Sequence, residues 1–85
     1  MVVGVPMDDQ QIRFAARAIV AEILEVEQAD LRDDAPFADF GANSVQQMEI
    51  VVELSSRFGV KYTQREEGMV TSVEEAVAIT RTHIV

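Results

Sequence analysis

The chain has 85 residues, enough for one small domain and too few for a multi-domain enzyme. Its composition, 48% hydrophobic and 26% charged, is that of a chain that folds. A formal net charge of −8 opposes binding to phosphate backbones and anionic lipids, and the absence of cysteine removes disulfides, Cys-based zinc sites and thiol nucleophiles.

The opening Met1-Val2-Val3-Gly4-Val5-Pro6 is apolar but lacks a basic leader and an apolar run of signal length, and no stretch approaches a membrane span, so a cytoplasmic protein is expected. After Asp8-Asp9, which can cap a helix start, Ile12, Ala16, Ile19, Val20, Ile23 and Leu24 recur at helical spacing. That first helix should fade between Val26 and Gln28. From Ala29 to Asn43 the pattern dissolves into acidic residues with Pro36 and Gly41, predicting a long ordered loop anchored by Phe37 and Phe40. A second helix is predicted over Ser44–Phe58, opening on a capping-box spelling, Ser44-x-x-Gln47, and ending at Gly59. An extended piece, Val60 to Tyr62, leads to Thr63-x-x-Glu66, a further capping box whose helix must be short because Gly68 follows. Ser72-x-x-Glu75 then opens a final helix with Val73, Ala76, Val77 and Thr80 facing inward. The expectation is an all-α, small four-helix bundle of three major helices and one short one, with the long loop between the first two. Residues 1–85 form a single domain in this reading, with an ordered core of about 8–82.

Charge is concentrated rather than spread. Between Glu22 and Glu53 there are nine acidic residues and one basic residue, Arg32, and the remainder of the chain is balanced. Such a field keeps a small protein soluble, and it also steers basic partners. The second helix overlaps this segment and has two apolar faces. Ile50, Val51, Leu54 and Phe58 form one, and Val45, Met48 and Val52, with Glu49 among them, form the opposite one. The second face is either buried in a central helix or exposed as a docking stripe, and its position beside Ser44 favours docking.

Ser44 invites three explanations. A serine at a helix start ordinarily caps it. One lifted by a Gly-Ala-Asn turn onto the positive end of a helix is also suited to carry a phosphodiester. As a nucleophile it lacks a base: the only histidine, His83, stands near the C-terminus with no partner implied by spacing and is expected to face solvent. Asp33-Asp34, Glu66-Glu67 and Glu74-Glu75 are adjacent pairs that diverge, and no metal-ligand spacing occurs, so Ser44 reads as a residue acted upon and the chain as a non-enzyme.

Phe37-Ala38-Asp39-Phe40-Gly41-Ala42-Asn43-Ser44-Val45 resembles the attachment motif of acyl carrier proteins, and Ile19–Leu24, Asp34–Phe37, Met48–Ile50, Arg57–Val60 and Ser72–Val77 fall where that family has its other segments. The resemblance implies a 4′-phosphopantetheine arm on Ser44, added from coenzyme A by a phosphopantetheinyl transferase and carrying acyl groups as thioesters. It implies partners with basic surfaces, such as ketosynthases and acyltransferases, docking on Val45, Met48, Glu49, Val52 and Asp39, and an interior lined by Ala21, Ile23, Leu54 and Val77. A monomer that binds neither nucleic acid nor membrane is expected. Asn43 stands where the family usually has Asp, and Ser55 and Ser56 where fatty-acid carriers are commonly acidic, which points to polyketide or specialised fatty-acid biosynthesis. A peptidyl or aminoacyl carrier, and an unmodified acidic interaction module, are the alternatives.

Overall fold

Asp8 caps the first helix. Its carboxylate accepts the backbone N–H of Gln11 at 2.8 Å, and the Gln11 side chain returns a bond to the Asp8 N–H at 2.9 Å, so two of the N–H groups left open by a helix start are satisfied. The computed structural model describes residues 8–84; the apolar opening, Met1 to Pro6, lies outside them. Helix α1 (Asp9–Leu24) ends at Glu25 in a left-handed conformation, slightly before the fade predicted at Val26 to Gln28. Helices α2 (Ser44–Phe58), α3 (Gln64–Met69) and α4 (Val73–Ile84) follow, and no strand forms among the described residues. The chain is thus all-α, with three long helices and one short one.

The predicted bounds of α2 hold, and Gly59 closes it at φ +64°, the left-handed region where glycine carries no side-chain penalty. Thr63 and Glu66 make the reciprocal cap predicted for α3. Ser72 Oγ accepts the Glu75 N–H at 3.1 Å, which starts α4 where expected.

The core lies between α1, α2 and α4. Ile12, Val20, Ile50, Leu54, Val73 and Val77 are almost wholly buried there, so the inward stripes read from the sequence are the ones that meet. The Tyr62 hydroxyl and Thr80 Oγ1 satisfy each other at 2.7 Å inside it. Burial pushes the Tyr62 phenol above its ordinary range.

The loop between α1 and α2 is ordered, as predicted, but it is not structureless: it contains two 3-10 turns, Gln28–Asp30 and Phe37–Phe40. Phe37 is buried and Phe40 packs partly against the core, so both anchors serve; Leu31, unremarked in the sequence, is a third. Polar bonds complete the attachment. Asp33 accepts from Arg13 at 2.7 Å and from Arg17; Arg17 also donates to the Gln28 carbonyl at 2.7 Å, and Arg13 reaches Glu74 of α4 at 3.1 Å. Backbone bonds from Phe37 N–H to the Thr71 carbonyl, 2.7 Å, and from Glu74 N–H to the Asp33 carbonyl, 2.9 Å, join the loop to the start of α4. Partial burial works to raise the Asp33 carboxyl, but the hydrogen bonds and charges of the two arginines outweigh it and hold it below the usual carboxylate range. The Arg13 guanidinium, bonded to Glu74 and Asp33, holds its proton more tightly than usual.

His83 is exposed, as expected, but it has a partner that spacing did not imply. Its Nε2 lies 2.9 and 3.0 Å from the two carboxylate oxygens of Glu66, and its ring meets Tyr62 edge-on at 5.7 Å, so it ties α4 to α3 at the surface. The Glu66 carboxyl is held below its usual range by the Thr63 backbone N–H first and by His83 second.

Candidate functional site

The site forms where the long loop turns into α2. Gly41 ends the second 3-10 turn at φ +85°, a conformation that a β-carbon would strain even though the space around it is open. This reversal brings Asn43 to the head of α2 in an extended conformation.

Here one expectation is corrected. The capping residue is Asn43, not Ser44: Asn43 Oδ1 accepts the Gln46 N–H at 2.8 Å, and Gln46 Oε1 accepts the Asn43 N–H at 3.1 Å. The box is shifted by one residue from the predicted Ser44-x-x-Gln47, because Asn43 is the last residue with extended backbone and only there can the side chain fold back on the third helical N–H. Gln47, released from capping, donates to the Val70 carbonyl at 2.7 Å and ties the head of α2 to the end of α3.

The shift matters chemically. Ser44 becomes the first helical residue, exposed, and its hydroxyl has no hydrogen-bond partner among the described residues. Of the four N–H groups that open a helix, the cap satisfies those of Asn43 and Gln46. Those of Ser44 and Val45 have no protein acceptor among the described residues and remain free at the positive pole of a 15-residue helix. Two open donors at this helix end favour an anion attached to the exposed Ser44 Oγ. No titratable base lies in hydrogen-bond contact with Ser44 among the described residues, so nothing there activates it as a nucleophile.

Below Ser44 the second face of α2 is open. Val45 is 67% exposed, Met48 49% and Val52 58%, which excludes a helix buried on all sides. These three line a groove of about 440 Å³ with Glu49, and the other wall of the groove is Glu22 and Ile23 of α1, with Glu53 at its edge. Asp39 is also exposed, on the preceding 3-10 turn, but it is not part of the groove lining.

The α1 wall was missed in the sequence. Glu22 and Ile23 lie one turn from Ile19, and this spacing was the available signal. The expected interior holds for Ala21, Leu54 and Val77, which are buried, and in part for Ile23, which is half-buried, packs against the core and also lines the outer groove. Ile23 sits at the edge of the apolar stripe of α1, where a small rotation decides between core and groove. Among the described residues no group of His, Asp and Glu is arranged to hold a metal ion, and no helix is long and apolar enough to cross a membrane.

Comparison with known proteins bears on the same segment. A family model described as Phosphopantetheine attachment site matches residues 15–66, from the middle of α1 to α3. Among solved structures, the chain is similar to the HMG-ACPI domain from the CurA module of Lyngbya majuscula, determined by NMR, with a TM-score of 0.78 over 98% of this chain and 86% of that one. Sequence identity between them is 18%, so this likeness concerns the fold.

Proposed function

The chain belongs to the phosphopantetheine-attachment family of carrier domains, whose cofactor is covalently bound 4′-phosphopantetheine, and from that premise we propose that Ser44 is the residue that bears the arm. The single observation that carries this assignment is the free Ser44 hydroxyl at the head of α2, exposed, relieved of capping by Asn43 and flanked by two open backbone donors. When bound, the group supplies a thiol on a flexible tether, the function that a protein without cysteine lacks, and acyl groups are carried on it as thioesters.

The protein's own residues have three tasks in this reading. Asn43 fixes the turn and keeps Ser44 accessible to a phosphopantetheinyl transferase, which provides the base that Ser44 lacks. The N–H groups of Ser44 and Val45, with the α2 dipole, favour the phosphodiester over its negative surroundings. Val45, Met48, Glu49 and Val52, with Asp39 on the approach, receive ketosynthases, acyltransferases or other acyl-processing enzymes through an apolar stripe rimmed by acid. The protein is thus a non-catalytic, monomeric, cytoplasmic carrier of acyl groups in polyketide or specialised fatty-acid biosynthesis. The acidic rim, and the fold shared with a domain named as an acyl carrier, favour acyl over aminoacyl cargo.

Incubation of the apo protein with coenzyme A, magnesium and a broad-specificity transferase is expected to add the mass of one arm, and Ser44→Ala to prevent it. Failure of every transferase to modify the folded protein would leave an unmodified acidic interaction module. Preferential loading by aminoacyl over acyl donors would make it a peptidyl carrier.

A further inference from the structure

The docking stripe on α2 has a second wall and a second end. α1 and α2 run antiparallel, and Ala15, Ala18, Ile19, Glu22 and Ile23 of α1 face the seam at the three- and four-residue spacing of a single helix face. On α2 the same seam continues past Val52 and Glu53 to Ser56 and Arg57. Three successive grooves share Glu22, Glu53 and Arg57 as boundary residues, so they form one channel, about 18 Å long from Val45 to Arg57 at the helical rise per residue. At its far end Phe14 is 72% exposed and extends the apolar surface of the seam.

The charges along this channel are ordered. Glu49 lies nearest Ser44, Glu22 and Glu53 flank the middle, and Arg57 stands at the far end, with Asp8 at the mouth there. None of Glu22, Glu49, Glu53 and Arg57 takes part in an ion pair among the described residues, whereas Arg13, Arg17 and Arg81 all do. A channel between two antiparallel helices, with apolar residues along its floor, fits the side of a third helix.

We propose that the whole α1–α2 seam receives one helix of a partner protein, about three turns long. Its Lys or Arg residues lie over the Ser44 end and the middle of the seam, against Glu49, Glu22 and Glu53, its apolar side chains lie on Met48, Val52, Ile19 and Phe14, and a carboxylate lies at the far end against Arg57. This assignment rests on the docking role given to α2 above, not on the attachment of the arm. Its consequence is orientational: Arg57 fixes which end of the partner helix lies beside Ser44, and thereby rejects helices that are basic throughout.

The test uses the full chain, isotopically labelled, and two synthetic helical peptides with the same leucine stripe. One has lysines at one end and glutamates at the other, and the second has lysines at both ends. At low salt the first is expected to bind about tenfold more tightly, with amide shifts on both α1 and α2 extending to Phe14. Arg57→Glu should reverse the preference and Arg57→Gln should erase it, with unchanged melting curves showing that both variants fold. Ser44→Ala should alter neither affinity, so loss of modification and loss of docking are read separately. Equal affinities, shifts confined to α2, or self-association of the chain through the seam on concentration would each overturn the proposal.

Discussion

On the α1–α4 side, Asp33, Glu74 and Asp9 meet Arg13, Arg17 and Arg81, with Arg13 and Arg81 lying 2.7 Å from Asp33 and 2.8 Å from Asp9. On the α1–α2 side, Glu22, Glu49 and Glu53 line an open groove and pair with no cation among the described residues. The chemical group, a carboxylate, is the same; the neighbours differ. Partly buried and bonded to two arginines, Asp33 holds the long loop in place and so positions the turn before Ser44. Exposed and unpaired, the glutamates contribute little to holding the fold, and their field remains available to a partner. An acidic count alone therefore does not separate carboxylates that hold the fold from those whose charge stays open to a partner; their neighbours do.

The comparison can be broken most severely on the paired side. Asp33→Ala takes the shared acceptor from two guanidiniums, leaving Arg13 only Glu74 and Asp9 and Arg17 only loop carbonyls, and so loosens the loop; a loss of about 2 kcal/mol is expected, visible as a melting temperature lower by roughly 10 °C for a domain of this size. The same pair gives a pH signature. Because the folded Asp33 ionises below its ordinary value, its contribution is present above about pH 4 and disappears as the pH falls through the lower folded-state value. Thermal melts of Asp33→Asn across pH 2 to 6, roughly the carboxylate range, should show less acid destabilisation than those of the unaltered protein. At the junction of the two regions, Asn43→Ala removes the cap of α2 and should cost about 1 kcal/mol, with slower modification of Ser44 measured by intact mass. The smallest effect on stability belongs to Glu49→Arg. Its melting temperature should stay within about 1 °C, while association with a basic partner slows about tenfold at low ionic strength. A large thermal loss for Glu49→Arg, or none for Asp33→Ala, would undo the distinction.

Most of the fold was legible because its signals are local. Gly59, the period of Ile50, Val51, Leu54 and Phe58, and the Thr63 and Ser72 caps each lie within a few residues of the element they define. The paired region was not legible, since Asp33 is 20 residues from Arg13 and His83 is 17 from Glu66, and periodicity carries no information about partners that far apart. The cap of α2 was misplaced by one residue because Asn43-x-x-Gln46 and Ser44-x-x-Gln47 are equally good spellings; only the backbone conformation of Asn43 distinguishes them. Ser44 itself was visible through its motif. The groove wall from α1 was not, because Ile23 lies on the border of an apolar stripe and counts equally well toward the core.

The central claim concerns which hydroxyl is available. Besides Ser44 the chain has three other serines: Ser55, which donates to the Val60 carbonyl at 2.7 Å; Ser56, on the α1–α2 seam; and the buried Ser72. Fragmentation of the modified protein by tandem mass spectrometry assigns the arm to one of them. The account predicts the whole added mass on the fragment containing Ser44 and none elsewhere; an arm found on another residue, with Ser44 unmodified, would contradict it.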